Sequence, residues 1–454
     1  MLFNSIQFFI FFPIVTALYF WLPQRFRWIL LLVASCYFYM AFIPVYVLIL
    51  LFTIVIDYYA GILIEQSTGQ RRKLFLVMSL VANIGVLAVF KYYNFFIDNI
   101  NVLLGITGQD QMSYWKLILP IGLSFHTFQA MSYTIEVYRG NFPAERHLGY
   151  YALYVMYYPQ LVAGPIERPQ NVLHQFKVKH DFDYDRAVDG LKMMTYGLFK
   201  KVVIADNLAA YVDYYYGHLG TQSYNSIAAI FFFSIQIYCD FSGYSDMALG
   251  ASKVMGIELL KNFNYPYFSH SITEFWRKWH MSLSTWFRDY LYIPLGGNRK
   301  HKHLNVFIVF MTSGLWHGAN WTFVIWGAIH GAFQILEDTF NLKQNKGIVA
   351  LLLTNVVVAL AWVFFRASDV RTALHVIANS VNTRFDWHNP LLSKKIMLVT
   401  ALFMAWEYVI SRNGFLPVLN ALRPAARYSM YYIIVIAILF LGRFGSGQFI
   451  YFQF

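Results

Sequence analysis

A dozen apolar runs follow one another along the chain, near residues 2–22, 28–43, 45–64, 74–105, 115–136, 149–164, 190–215, 226–258, 305–336, 347–365, 395–411 and 428–448. An α-helix needs roughly 20 apolar residues to cross a hydrocarbon core, where each backbone polar group must be satisfied inside the segment. The spacing therefore predicts an all-α polytopic membrane protein of about ten to twelve membrane helices. The 454 residues are 58% hydrophobic and only 13% charged, about half the charge of an ordinary soluble domain. That balance excludes a soluble enzyme. The run at 149–164 is short and carries Pro159 and Gly164, so it is expected to be re-entrant or interfacial.

The net charge of +12 is read as loop charge. No Lys/Arg-rich tail points to nucleic acid. Clusters at Arg25/Arg27, Arg71/Arg72/Lys73 and Arg139/Arg146 fall on the cytoplasmic side if the chain breaks at Pro44 and begins outside. No Lys or Arg precedes Arg25 and no small-residue cleavage site follows, so the first run is expected to be an uncleaved helix. The polar stretch 166–192 is predicted to be a solvated loop, and 289–303, with Arg299, Lys300 and Lys302, a cytoplasmic one. Cys36 and Cys239 lie in apolar surroundings, which speaks against a disulfide framework or a thiolate metal site. HExxH, Walker A and serine-hydrolase motifs are absent, so metal, nucleotide-hydrolysis and triad chemistry lack residues to carry them.

Four segments hold chemistry. In SITEFWRKWHMSLSTWFRDY, Ser271 and Glu274 form a capping box, predicting a helix start. At 100° per residue, Trp276, Trp279, His280, Leu283, Phe287 and Tyr290 share an apolar sector, opposite Glu274, Arg277, Lys278, Arg288 and Asp289. Such a helix fits a membrane interface, with His280 either a hydrogen-bonded core residue or a functional one. His317 lies between two apolar runs, flanked by Trp316, Gly318, Asn320 and Trp321. An ionisable group at that depth marks function or a proton path, although Gly314 and Gly318 equally fit plain helix packing. His330 repeats the signal more weakly and is read as structural. Asp240 and Asp246 could orient a histidine or pair with a base. The terminal FIYFQF reads as an aromatic anchor, or as a tail carrying the Tyr451 hydroxyl into a site.

Taken together, the WRKWH helix, DFSGYSDMALG, DYLYIPLGGNR and SGLWHGANWTFVIWGAIHG resemble the membrane-bound O-acyltransferase family. The likeness is greatest to its bacterial alginate and peptidoglycan O-acetyltransferase branch, and extends more distantly to the teichoic acid D-alanyl transfer protein. IGLSFHTFQAMSYTIEVYRG, YPQLVAGPIERP and GLFKKVVIADNLA are similar to that branch too, apart from His126, where an aromatic residue is expected.

The resemblance implies one membrane domain over 1–454, ending in a tyrosine motif at 449–454, with helices around a central tunnel. A thioester donor, acetyl-CoA or an acyl-carrier protein, enters from the cytoplasm, and no tightly bound cofactor or metal is implied. His317 is the family's invariant histidine and His280 its second. The expected roles are a general base for His317, orientation of donor or oxyanion for His280, and a hydroxyl acceptor for Tyr451. Trp276, Trp279, Trp316, Arg277 and Asn320 are expected at the substrate. Arg277, Lys278, Arg299 and Lys300 could dock the donor, or set topology and bind anionic lipid. The acyl group is expected to pass to an outer SGNH-type esterase-like transferase that modifies a polysaccharide, at a bacterial inner membrane. A transporter or export channel with proton-relaying histidines, or a scaffold for the outer transferase, is the competing class.

Overall fold

A computed structural model describes residues 1–117, 119–162, 164–219, 226–382, 393–445 and 449–450. Among these residues the regular elements are helices, and no strand occurs. Five helices are long and apolar enough to cross a membrane: Pro44–Gln66, Gly69–Thr107, Ser226–Val254, Ile348–Arg366 and Pro424–Leu441. Ile6–Trp21, Gln24–Met40, Leu123–Arg139, Lys302–His317 and Lys394–Ile410 have 16 or 17 residues, which at 1.5 Å per residue is about 25 Å. The shortfall from ten to twelve full-length spans comes from these shorter helices. The spans also differ in surroundings. The apolar window of Ser226–Val254 is 89% buried in protein and that of Pro424–Leu441 only 11%, so the second presents its side chains to lipid.

The chain divides into two compact units. The first comprises Met1–Gly190 and Ala248–Leu260. Ser5 caps its first helix by accepting the Phe8 N–H at 3.2 Å, and the expected break at Pro44 separates Gln24–Met40 from Val47–Gln66. A buried polar knot ties three helices: Asp57 accepts from the Ser79 hydroxyl at 2.6 Å and from Asn83 Nδ2 at 2.8 Å, while the Ser79 and Thr134 hydroxyl oxygens lie 3.1 Å apart. Each partner satisfies a group that would cost several kcal/mol alone in hydrocarbon. Residues 149–164 form the short helices Leu148–Met156 and Tyr158–Leu161, too short to span, as expected.

The stretch 166–192 departs from its predicted loop. Much of its first half is core: Ile166, Glu167, Val172, Leu173 and Phe176 are buried, while 177–179 and 181–185 are exposed. Glu167 accepts the Leu260 N–H at 2.5 Å and an Asn171 Nδ2–H at 2.7 Å, which makes the burial of a carboxyl tolerable. Charge content suggested solvation, but the charges are partnered.

The second unit comprises Leu191–Met247 and Lys261–Phe454. Lys302–His317 and Trp321–Thr339 form an antiparallel hairpin, and Ile348–Arg366 packs on its second arm. A π-helical segment, Phe199–Ala205, interrupts the run from Tyr184 to Gly217. π-Helical segments inside α-helices are frequent at functional sites, and this one carries two buried lysines, Lys200 and Lys201.

Candidate active site

The hairpin closes on its glycines. A Cβ on Gly314 would lie 2.3 Å from the Phe323 carbonyl oxygen, and one on Gly327 would lie 2.3 Å from that of Phe310. Two backbones therefore touch where side chains would normally separate them. His317 ends the first arm, and Asn320 caps the second by accepting the Thr322 N–H at 3.0 Å. Asn320 Nδ2 also donates to the Ser368 carbonyl at 2.8 Å. Both ends of this amide, expected at the substrate, hold the turn that follows His317.

The His317 ring is buried among Trp316, Trp326 and Phe365, with centroids 4.8, 5.0 and 5.4 Å away. Trp316 also meets the His280 ring at 6.3 Å, so one indole touches both histidines. Trp326 leads on to His330 at 5.1 Å, which stands edge-on to Trp276 at 5.0 Å.

His280 arrives there by a break that periodicity does not reveal. The single helix expected from Ser271 is two short ones, Ile272–Lys278 and Met281–Phe287, with His280 between them at φ 42°. A left-handed non-glycine residue costs of order 1–3 kcal/mol and persists only when its surroundings hold it. Asn262 does so. Its carbonyl accepts the Met281 N–H at 2.9 Å, and its Oδ1 accepts from Ser282 Oγ at 2.9 Å and the Ser282 N–H at 3.4 Å. Those donors identify Oδ1 as the amide oxygen, so the 3.0 Å contact to His280 Nδ1 has the imidazole donating. The neutral ring then carries its lone pair on Nε2. Burial pushes the His280 pKa down to about 3, which keeps it neutral near pH 7.

The helix start is as expected in part. Ser271 Oγ accepts the Glu274 N–H at 3.0 Å, but Glu274 reaches back to the His270 N–H, at 2.9 Å, instead of that of Ser271. The N–H groups of Ile272 and Thr273 are taken by Glu337, from the hairpin's second arm. The apolar sector, Trp276 included, packs on protein side chains such as Phe310. It is not the lipid-facing surface of an interfacial helix.

Beside this cluster lies a buried ionic network. Lys200 is 2.9 Å from Asp246 and 3.6 Å from Glu407, while Lys201 is 2.8 Å from Asp206 and 2.6 Å from Asp240. Glu407 also accepts from Tyr196 and Tyr238, both at 2.5 Å. Asp240 and Asp246 thus pair with bases, the second of the two expected roles. The lysines and Glu407 carry a signal that composition obscures, since an ionisable group inside an apolar run implies a partner.

Phe449 and Ile450 enter the same region. Phe449 and Ile450 are buried, Phe449 meets Tyr244 at 4.6 Å and Phe241 at 5.7 Å, and Phe241 meets His280 at 4.7 Å.

Comparison with known proteins decides what this constellation belongs to. Residues 16–365 match the family model of the membrane-bound O-acyltransferases. The chain belongs to the membrane-bound O-acyltransferase family. The probable alginate O-acetylase AlgI of Pseudomonas aeruginosa is 39% identical over 382 residues, covering 82% of this chain and 73% of the relative. A peptidoglycan O-acetyltransferase of Helicobacter pylori is 32% identical over 483 aligned positions, covering 93% and 91%. A teichoic acid D-alanyltransferase of Bacillus subtilis is 29% identical over 247 residues, 51% of this chain and 62% of the relative. The resemblance read from the motifs holds, and the chain is an integral membrane O-acyltransferase.

Within this acyltransferase, the structure brings His317, His280, Trp316, Trp276 and Trp279 into one buried aromatic body, with Trp279 stacked on Phe275 at 5.4 Å. Arg277 is exposed on the opposite face and is not part of it. Arg299 and Lys300 are exposed too, whereas Lys278 pairs with Glu274 at 2.7 Å. Tyr451 lies outside the described residues, one position beyond Ile450.

Proposed function

We propose that this O-acyltransferase moves an acetyl group from a cytoplasmic thioester, acetyl-CoA or an acyl-carrier protein, to the Tyr451 hydroxyl, for onward O-acetylation of an extracytoplasmic polysaccharide. The observation that carries this reading is the chain of ring contacts from His317 through Trp316, His280 and Phe241 to Phe449, which precedes Tyr451 by two positions in the sequence.

In the proposed step the His317 imidazole takes the phenol proton as the oxygen attacks the thioester carbonyl. The tetrahedral intermediate collapses, the C–S bond breaks, and the imidazolium returns the proton to the thiolate. A phenol has an unperturbed pKa of about 10 and needs such a base, whose assistance is worth roughly 10²–10⁴-fold. Neutral His280, donating through Nδ1 to Asn262, orients the donor through its other edge. The ester on Tyr451 is then attacked by a serine of an SGNH-type partner transferase outside, which regenerates the tyrosine. The exposed Arg277, Arg299 and Lys300 suit the donor's phosphates or an acidic carrier. A bacterial inner membrane with the N-terminus outside puts those cations in the cytoplasm.

The acceptor class comes from the relatives, whose names specify alginate and peptidoglycan. Expressing His317→Ala in cells lacking the native protein tests the reading: surface-polymer O-acetylation disappears while the variant stays in the membrane. Retained acetylation would remove His317 as the base.

A further inference from the structure

Both ends of the described tail are fastened to one short stretch of chain. At its start, the Arg443 N–H donates to the Val202 carbonyl at 3.0 Å. At its end, the Ile450 N–H donates to Asp240 Oδ2 at 2.7 Å. The other Asp240 oxygen is 2.6 Å from Lys201 Nζ, and Lys201 and Val202 are neighbours in the π-helical segment Phe199–Ala205. Asp240 and Lys201 are both buried, with side-chain exposures of 4% and 1%, so water does not compete for these contacts.

We propose that Asp240, set by Lys201, is a positioning residue for acyl transfer: it holds the backbone at Ile450, the residue before the acceptor tyrosine in the sequence. This rests on the acyl-tyrosine reading above. Fixing the chain beside a reacting group removes freedom that the reaction would otherwise have to freeze out, which is where effective molarity arises.

A carboxylate is the side chain this role requires. Two donors, an ammonium and an amide N–H, converge on Asp240 from its two oxygens. An asparagine there has one acceptor and one donor end, so it opposes one of the two. The lysine pair explains why the carboxylate survives burial: Lys201 neutralises it, and Asp206 at 2.8 Å holds Lys201 on its other side.

The test acts on the tail, leaving Asp240, Lys201 and the helices intact. Ile450→Pro deletes the donating N–H, and Ile450→Val trims one methylene from the buried side chain but keeps the N–H. Each full-length protein is followed by hydrogen exchange of the peptide from residue 443 onward, and by the rate of [14C]acetyl transfer from acetyl-CoA to Tyr451. Loss of a hydrogen bond to a buried carboxylate is expected to speed tail exchange and lower kcat by about tenfold or more in Ile450→Pro. KM for acetyl-CoA stays unchanged, and Ile450→Val remains within about threefold of wild type on both readouts. Equal exchange in wild type and Ile450→Pro overturns the proposal, as does equal loss in both variants. If the proline alone loosens the tail but wild type takes no label on Tyr451, the anchoring stands and the acyl-tyrosine reading falls.

Discussion

Gly314 faces the backbone of Phe323 at a distance that leaves no room for a methyl group, since its Cβ would sit 2.3 Å from the Phe323 carbonyl oxygen. His317 follows three residues later, so the packing of this pair sets where the histidine emerges. Gly314→Ala must push two backbones apart, and overpacking of this kind costs about 1–3 kcal/mol. Thermal unfolding in detergent should show a lower Tm and reduced acetyl transfer. Gly85, with nothing within 4 Å of its Cβ position, is the control: Gly85→Ala in a helix interior is expected to be neutral or to stabilise by about 0.5–1 kcal/mol.

Glu337 supplies acceptors to the first two N–H groups of Ile272–Lys278 and to the Thr273 hydroxyl. Glu337→Ala leaves those donors buried and unpaired, at about 1–3 kcal/mol for each. Glu337→Gln retains one oxygen and should lose about half as much stability by the same argument. A chemical or thermal melt of the purified variants checks the order.

Acid should weaken the fold through His280. Its folded pKa of about 3 lies below the ordinary histidine value of 6.5, so the unfolded chain binds a proton that the folded one refuses. Stability is therefore complete above about pH 6.5 and falls as pH drops toward 3, with a loss of about 2 kcal/mol at pH 5 from this residue. His280→Asn removes the titrating imidazole, so the Tm advantage of wild type over the variant should shrink between pH 7 and pH 5. A constant difference would contradict the burial argument.

Lys200 neutralises Asp246 and Glu407 in the second unit. Lys200→Met keeps the bulk but strands two carboxylates, and breaking a buried pair in this way costs about 3–5 kcal/mol. The expected outcome is a sharply reduced folded yield. Adding Glu407→Gln should recover part of it, which a double-mutant comparison of Tm values would measure.

Local features of this chain were legible in its sequence. Ser271 caps the helix it precedes, Pro44 separates two helices, and Gly314 lies where a helix admits a close neighbour. These signals act within a few residues, and a reader of the chain can find them. The fold class followed from the apolar runs in the same way. The site's supports did not, because they join distant positions: Glu337 caps a helix 65 residues away, and Glu407 accepts from a tyrosine 211 residues away. The turn at His280 was hidden for a related reason. Its apolar spacing fits a continuous helix, and only Asn262, 18 residues earlier, pins the left-handed conformation that breaks it.

The central claim is that His317 drives acetyl transfer onto Tyr451. Its most direct measurement is incubation of purified wild type, His317→Ala and Tyr451→Phe with [14C]acetyl-CoA, followed by peptide mapping of the label. Wild type should carry an alkali-labile label on the C-terminal peptide, and the two variants none. Label elsewhere in the chain, or undiminished labelling of Tyr451 in His317→Ala, would contradict the account.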